Sequence, residues 1–176
     1  NHNLFNVQGS RFFYVINTRR IGASPDYNCS EDFPLQQELC ADSQKGANDI
    51  DAAFRYTQQG ENFDVGFLGA FEANEKFSEG KDFYAVRLRT KKDNLTVGYL
   101  GTYVNRPVIN RTAKVNALDF EYRPSNIRRL SGTALASDVN GEKGYGFNLG
   151  YGYDPSKNRH NGVGVFYVDE DLDMKD

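Results

Sequence analysis

The stretch Gly144-Tyr145-Gly146-Phe147-Asn148-Leu149-Gly150-Tyr151-Gly152-Tyr153 alternates without a break. Successive side chains of a strand point to opposite faces. Tyr145, Phe147, Leu149, Tyr151 and Tyr153 therefore share one face, and Gly146, Asn148, Gly150 and Gly152 the other. Glycine at every second position is strand spacing and not a nucleotide-binding loop. The same period recurs upstream. Leu95, Val97, Tyr99, Gly101 and Tyr103 fall on one side of their stretch, and Phe63, Val65, Phe67, Gly69 and Phe71 on one side of theirs. Leu118, Phe120 and Tyr122 oppose Asp119, Glu121 and Arg123. Strands are expected at about 49–58, 62–73, 82–92, 94–105, 113–123, 127–137, 144–154 and 161–170. No stretch has a helical period, so the fold class is all-β: an antiparallel up-and-down meander of about eight long strands.

The length of these strands narrows the architecture. Soluble domains favour ~5–6 residues, whereas a tilted membrane-spanning strand needs ~9–11. The links add a second argument. Gln59-Gly60-Glu61, Asp93 and Pro124-Ser125-Asn126 are tight, while Asn74 to Lys81, Arg106 to Thr112 and Asp138 to Lys143 are longer. Short turns on one side and longer loops on the other suit a transmembrane barrel. Pro155 to Asn161 fits less well, being on the short side without being short. The chain divides into a lead-in strand with a Cys-bearing loop, 1–48, and the strands of an incomplete barrel, 49–176. Arg11 to Asn17 is the expected lead-in strand.

Composition removes several classes of function. The 176 residues carry 21 Lys+Arg against 24 Asp+Glu, a net charge of -3 with both signs scattered, so nucleic acid is not an expected partner. No run of ~18 apolar residues forms a membrane helix, which leaves barrel strands open. The first residues show no targeting signal, so the chain is expected to be mature, trimmed or a fragment. Cys29 and Cys40 sit in a polar, turn-rich segment. A loop-closing Cys29–Cys40 disulfide is expected, which implies an oxidising compartment; two unrelated thiols are the alternative reading.

The catalytic inventory is thin. Gly-x-Ser-x-Gly, His-Glu-x-x-His, Cys-x-x-Cys and phosphate-loop motifs are all missing from the sequence. His2 and His160 are isolated, so no metal and no cofactor is expected. Asp169, Glu170 and Asp171 suit a solvated strand end better than glycoside hydrolysis. Nothing in the sequence demands an enzyme.

Charge recurs opposite the aromatics. Arg55, Asp64, Arg87, Arg89, Asp119, Glu121 and Arg129 are the expected lumen-facing residues. Phe67, Val97, Tyr99, Phe120, Phe147, Leu149 and Tyr151 are the expected lipid-facing ones. Closing the first hairpin with Thr57 opposite Asn62 sets Arg55 against Asp64. Closing the third at Pro124-Ser125-Asn126 sets Glu121 against Arg129. A packed sandwich, with the aromatic face as its core, is the competing reading.

Several segments also resemble a known bacterial family. These are Arg11-Phe12-Phe13-Tyr14, Arg19-Arg20-Ile21-Gly22, Asp64-Val65-Gly66-Phe67-Leu68, Tyr84-Ala85-Val86-Arg87-Leu88-Arg89, Thr96-Val97-Gly98 and Ala117-Leu118-Asp119-Phe120. In order and spacing they are similar to the outer-membrane barrel proteins labelled domain of unknown function 5916, which commonly follow a family-9-like carbohydrate-binding module. The chain departs from that pattern at Val15 to Thr18 and in the Cys-bearing insertion after Gly22. The resemblance implies an internal piece of a longer protein of the bacterial outer membrane, with membrane lipid as a partner and a glycan as a candidate ligand. Binding, transport or surface anchoring is the expected role. A soluble secreted carbohydrate-binding sandwich is the alternative, and an outer-membrane hydrolase the third reading.

Overall fold

The structure is a computed structural model that describes residues 4, 5, 21, 23, 26, 48–74 and 79–174. Eight strands follow one another: β1 Ile50–Gln59, β2 Phe63–Glu72, β3 Asp82–Lys92, β4 Leu95–Arg106, β5 Arg111–Ser125, β6 Arg128–Val139, β7 Glu142–Ser156 and β8 Arg159–Val168. They form one antiparallel sheet in the order β1-β2-β3-β4-β5-β6-β7-β8. The all-β meander is therefore as the alternation requires. The described sheet is open, with β1 and β8 as its edges and every residue of both exposed. The expected strand Arg11–Asn17 and the Cys29–Cys40 pair lie outside the described residues. None of the described helices is long and apolar enough to cross a membrane, which says nothing of strands.

Two links are shorter than the sequence suggested. The β6–β7 connection is the two-residue turn Asn140-Gly141, with φ of 53° and 93°. Positive φ at both central positions matches the right-handed strand twist, and Asn-Gly is the pair that tolerates it. The Asn140 side chain also ties this turn to the next hairpin: Thr112 N donates to its Oδ1 at 2.7 Å and its Nδ2 donates to the Asn110 carbonyl at 2.8 Å. Likewise β7 and β8 extend to leave only Lys157-Asn158 between them, which removes the misfit at Pro155 to Asn161. One end of the sheet thus carries only tight turns. The other carries residues 73, 74 and 79–81 and the 3-10 turn Pro107–Ile109.

The face bearing Asp64, Arg87 and Asp119 is the covered, inner one. Ala85, Leu100, Val115, Ala117 and Leu135 form a buried apolar cluster on it, flanked by Leu68 of β2 and covered by Phe5, Leu172 and Met174. Gly66 accommodates the N-terminal segment, since a Cβ there would meet Leu4 at 2.9 Å and Phe5 at 3.1 Å. Residues 169–174 cross the same face, with Asp173 N donating to Ser137 Oγ at 3.1 Å and Arg111 bonding Asp173 at 3.0 Å.

Candidate functional site

Strand register builds a transverse row across the inner face. Gln59 pairs with Asp64, Asp64 with Arg89, Arg89 with Gly98, Gly98 with Asp119, Asp119 with Thr133, and Thr133 with Asn148. Partners directly opposite in an antiparallel pair share a face. One belt therefore gathers polar groups from six strands that are far apart in sequence. Arg87 joins it from the neighbouring row. Its guanidinium donates twice to Asp119, at 2.5 Å to Oδ1 and 3.0 Å to Oδ2, and both side chains are buried. To reach β5 from β3 the guanidinium crosses β4 over Gly98, where a Cβ would lie 2.6 Å from Nη2. Only glycine leaves that passage open.

Asp64 is the second anchor. Arg89 Nε donates to its Oδ2 at 2.7 Å, and Lys91 Nζ lies 2.9 Å from the same oxygen. Fully desolvated charges of this kind are tolerated only when paired and hydrogen-bonded. Two buried donors in the belt, Arg87 Nε and Asn148 Nδ2, have no hydrogen-bond partner among the described residues.

Arg55, Asp64, Arg87, Arg89, Asp119, Glu121 and Arg129 share the inner face of the sheet, but only four of them meet. Asp64, Arg87, Arg89 and Asp119 form the belt. The two expected pairs do not form. Arg55 stands opposite Leu68, with its guanidinium 5.6 Å from the centre of the Phe5 ring. Glu121 stands opposite Ser131 and accepts from Arg123 Nε at 2.8 Å, while Arg129 faces Gly152. The cause is turn geometry. Gly60 N donates to the Phe63 carbonyl at 3.0 Å and to Asp64 Oδ1 at 3.3 Å, so the first hairpin closes at Gln59–Asp64. That is a slip of four residues from the expected register. The third hairpin closes at Ser125–Arg128 around Asn126-Ile127, and with the one-residue bulge between Tyr122 and Ser125 its register ends two residues from the expected one. Lys91 could have been read from the two-residue spacing of Arg87, Arg89 and Lys91; nothing in the sequence marks Gly98 as a passage.

The outer face carries the other expected set. Phe67, Val97, Phe147, Leu149 and Tyr151 are exposed by 38–46%, and Tyr99 and Phe120 are half-buried. Glycines on this face are roofed by rings: Phe54 lies over Gly69, Tyr99 over Gly101 and Phe120 over Gly132. Its rows change character along the strands. The middle holds Leu88, Val97, Leu118, Phe120, Phe147, Leu149 and Val165, and Tyr122, Tyr151 and Tyr153 lie toward the tight-turn end. Tyr56, Tyr84, Tyr103 and Tyr145 lie toward the loop end. Tyr99, within the apolar middle, donates its hydroxyl to Asn116 Oδ1 at 2.7 Å.

At the loop end, Arg106 binds Asp26 through Nε at 2.8 Å and Nη2 at 2.6 Å. Those hydrogen bonds hold the Asp26 carboxyl below its ordinary value of 3.8 against the desolvation that raises it, with the charges of Lys81 and Arg106 adding to the lowering.

The fold and the site together define a class: an antiparallel meander that buries ion pairs beside an apolar cluster on one face and exposes aromatic side chains on the other. Comparison with family models, curated proteins and solved structures finds no match.

Proposed function

We propose that this chain is a wall segment of a bacterial outer-membrane β-barrel whose interior is sealed, and that it anchors rather than conducts. The observation that carries this reading is the exposed apolar outer face, set against an inner face that buries charged groups beside its apolar cluster. In water, exposure of Phe147 (46%) and Leu149 (42%) beside a buried Asn148 (8%) has the wrong sign; in a bilayer it has the right one. The dimensions agree. From Leu95 to Tyr103 the strand advances by about 27 Å, which at a tilt of ~40° gives a height of about 21 Å, near the ~25 Å apolar band of such barrels. Tyrosines gathered toward both ends of a mostly apolar middle match the interfacial preference of amphipathic rings. Sealing is supported by what covers the inner face: Phe5, Leu172 and Met174 over the apolar cluster, with two ion-paired carboxylates beside it. Those pairings also weigh against hydrolysis, because both oxygens of Asp119 accept from Arg87 and Glu121 is bonded to Arg123.

The natural chain contains no Trp, so an introduced one reports alone. Leu149→Trp in vesicles of acyl-brominated phosphatidylcholine is expected to be strongly quenched, and Arg159→Trp, at the turn end, weakly. Equal weak quenching of both, with a chain that stays dispersed without detergent, would instead support a soluble sandwich.

A further inference from the structure

On the outer face, a groove of about 260 Å³ runs between Tyr84, Tyr103 and Lys114 on its loop-end side and Tyr99 on the other. Its floor is Val86 and Gly101, which stand directly opposite each other on β3 and β4. The Tyr99 hydroxyl bonded to Asn116 holds the ring along the groove. A side chain at Gly101 would meet that hydroxyl at 2.7 Å, so glycine there leaves room for the Tyr99 ring that forms this wall. Lys114 closes the polar end, with Nζ 6.0 Å from the centre of the Tyr103 ring.

The groove is amphipathic along its length. Toward the middle of the sheet it opens onto Leu88 and Leu118, which flank Tyr99 in the next row. Toward the loops its row continues through Lys114, Asp138 and Lys143, two cations and one anion. Asp138 is partly engaged by the turn, accepting from Gly141 N at 3.0 Å. An occupant must therefore be apolar at one end and anionic at the other.

We propose that this groove seats a single anionic membrane lipid, its phosphate at Lys114 beside the Tyr84 and Tyr103 rings and its acyl chain over Val86, along the Tyr99 ring, toward Leu88. The proposal rests on the membrane reading given above. A lipid is favoured over a glycan because the groove is continuous with the exposed apolar band and lies where that band gives way to charged rows. Rings at this depth suit the headgroup boundary, and one lysine there supplies the attraction for phosphate.

The test uses the whole chain reconstituted in vesicles of equal phosphatidylcholine and phosphatidylglycerol, with retained lipid read by native mass spectrometry. The wild type is expected to retain one phosphatidylglycerol in preference to phosphatidylcholine by about fivefold, the factor one lysine near a headgroup supplies. Lys114→Gln should bring the ratio to parity, Lys114→Arg should keep it, and Lys157→Gln, in the β7–β8 turn at the opposite end of the sheet, should leave it unchanged. Heat-modifiable migration in phosphatidylcholine alone checks that each variant is folded. An inserted wild type without preference, or a Lys114→Gln protein that keeps it, overturns the lipid site and leaves the membrane reading standing. A wild type that does not insert overturns both. Retention of added cellotetraose by the wild type, lost in Lys114→Gln, would assign the groove to a glycan and overturn the proposal.

Discussion

Leu118 and Asp119 are neighbours on β5, yet Leu118 is 58% exposed and Asp119 is 2% exposed. One step along a strand reverses the environment, and here it reverses it against the usual rule for proteins in water. The difference teaches how each face is held. On the inner face, the guanidinium of Arg87 must cross Gly98 to meet both oxygens of Asp119, so stability depends on position to a fraction of an ångström. On the outer face, side chains need only be apolar in the middle and amphipathic at the ends. Substitutions on the two faces should therefore fail for different reasons.

The largest effect is expected from breaking the inner pair on one side only. Arg87→Ala leaves Asp119 charged and buried and should cost ~3–5 kcal/mol, read from urea unfolding in detergent micelles. Replacing both with Leu should recover most of that loss, because an apolar pair removes the desolvation penalty along with the attraction. Equal losses in the single and double variants would mean that the ion pair is not what the inner face depends on.

The outer face is probed by polarity against volume at one position. Leu149→Arg should cost ~2–4 kcal/mol near a bilayer midplane. Leu149→Trp should stay within about 0.5 kcal/mol of the wild type, as at a surface. If the two variants unfold alike in denaturant titrations, Leu149 is packed and the contrast between the faces disappears.

Gly98→Ala tests the passage itself. The added methyl group must displace a guanidinium anchored by two hydrogen bonds, an overpacking expected to cost ~1–3 kcal/mol. The same change at Gly152, where the nearest atoms to a Cβ are 3.9–4.0 Å away, should cost much less. Comparable unfolding midpoints for the two variants would remove the special role given to Gly98.

The smallest effect concerns the loop end. The Asp26 carboxyl, lowered by its hydrogen bonds to Arg106, contributes stability that is present above the ordinary carboxylate value of 3.8 and lost as pH falls through its lower folded value. Acidification below about pH 4 should raise amide exchange around Arg106 in the wild type. Arg106→Gln should show the raised exchange already at neutral pH, with β3 to β7 otherwise unchanged.

All eight strands were legible because a period of two survives uncertainty at the ends of each run. Leu95 to Tyr103 and Tyr145 to Tyr153 announce their faces without any partner. Contacts were less legible. Arg55 and Asp64 have opposite charge and suitable spacing, but the turn that holds Gly60 against Phe63 and Asp64 displaces them by four residues. An even slip keeps every side chain on its face, which is why Arg55, Asp64, Glu121 and Arg129 all lie on the inner side although neither expected pair forms. The Asn140-Gly141 turn was present in plain letters, and reading Asp138 to Lys143 as a longer loop passed over it.

The sequence by itself therefore determined the strand class, the order of strands and which residues share a face, because these follow from local alternation and turn-forming residues. The tertiary structure alone decided that Asp64, Arg87, Arg89 and Asp119 meet, since register is set by hydrogen bonds within turns and by the bulge near Tyr122, and a shift of two residues changes every partner while leaving the pattern of faces untouched. It alone decided the part played by Gly98, whose absent side chain matters only because a guanidinium from the next strand passes over it.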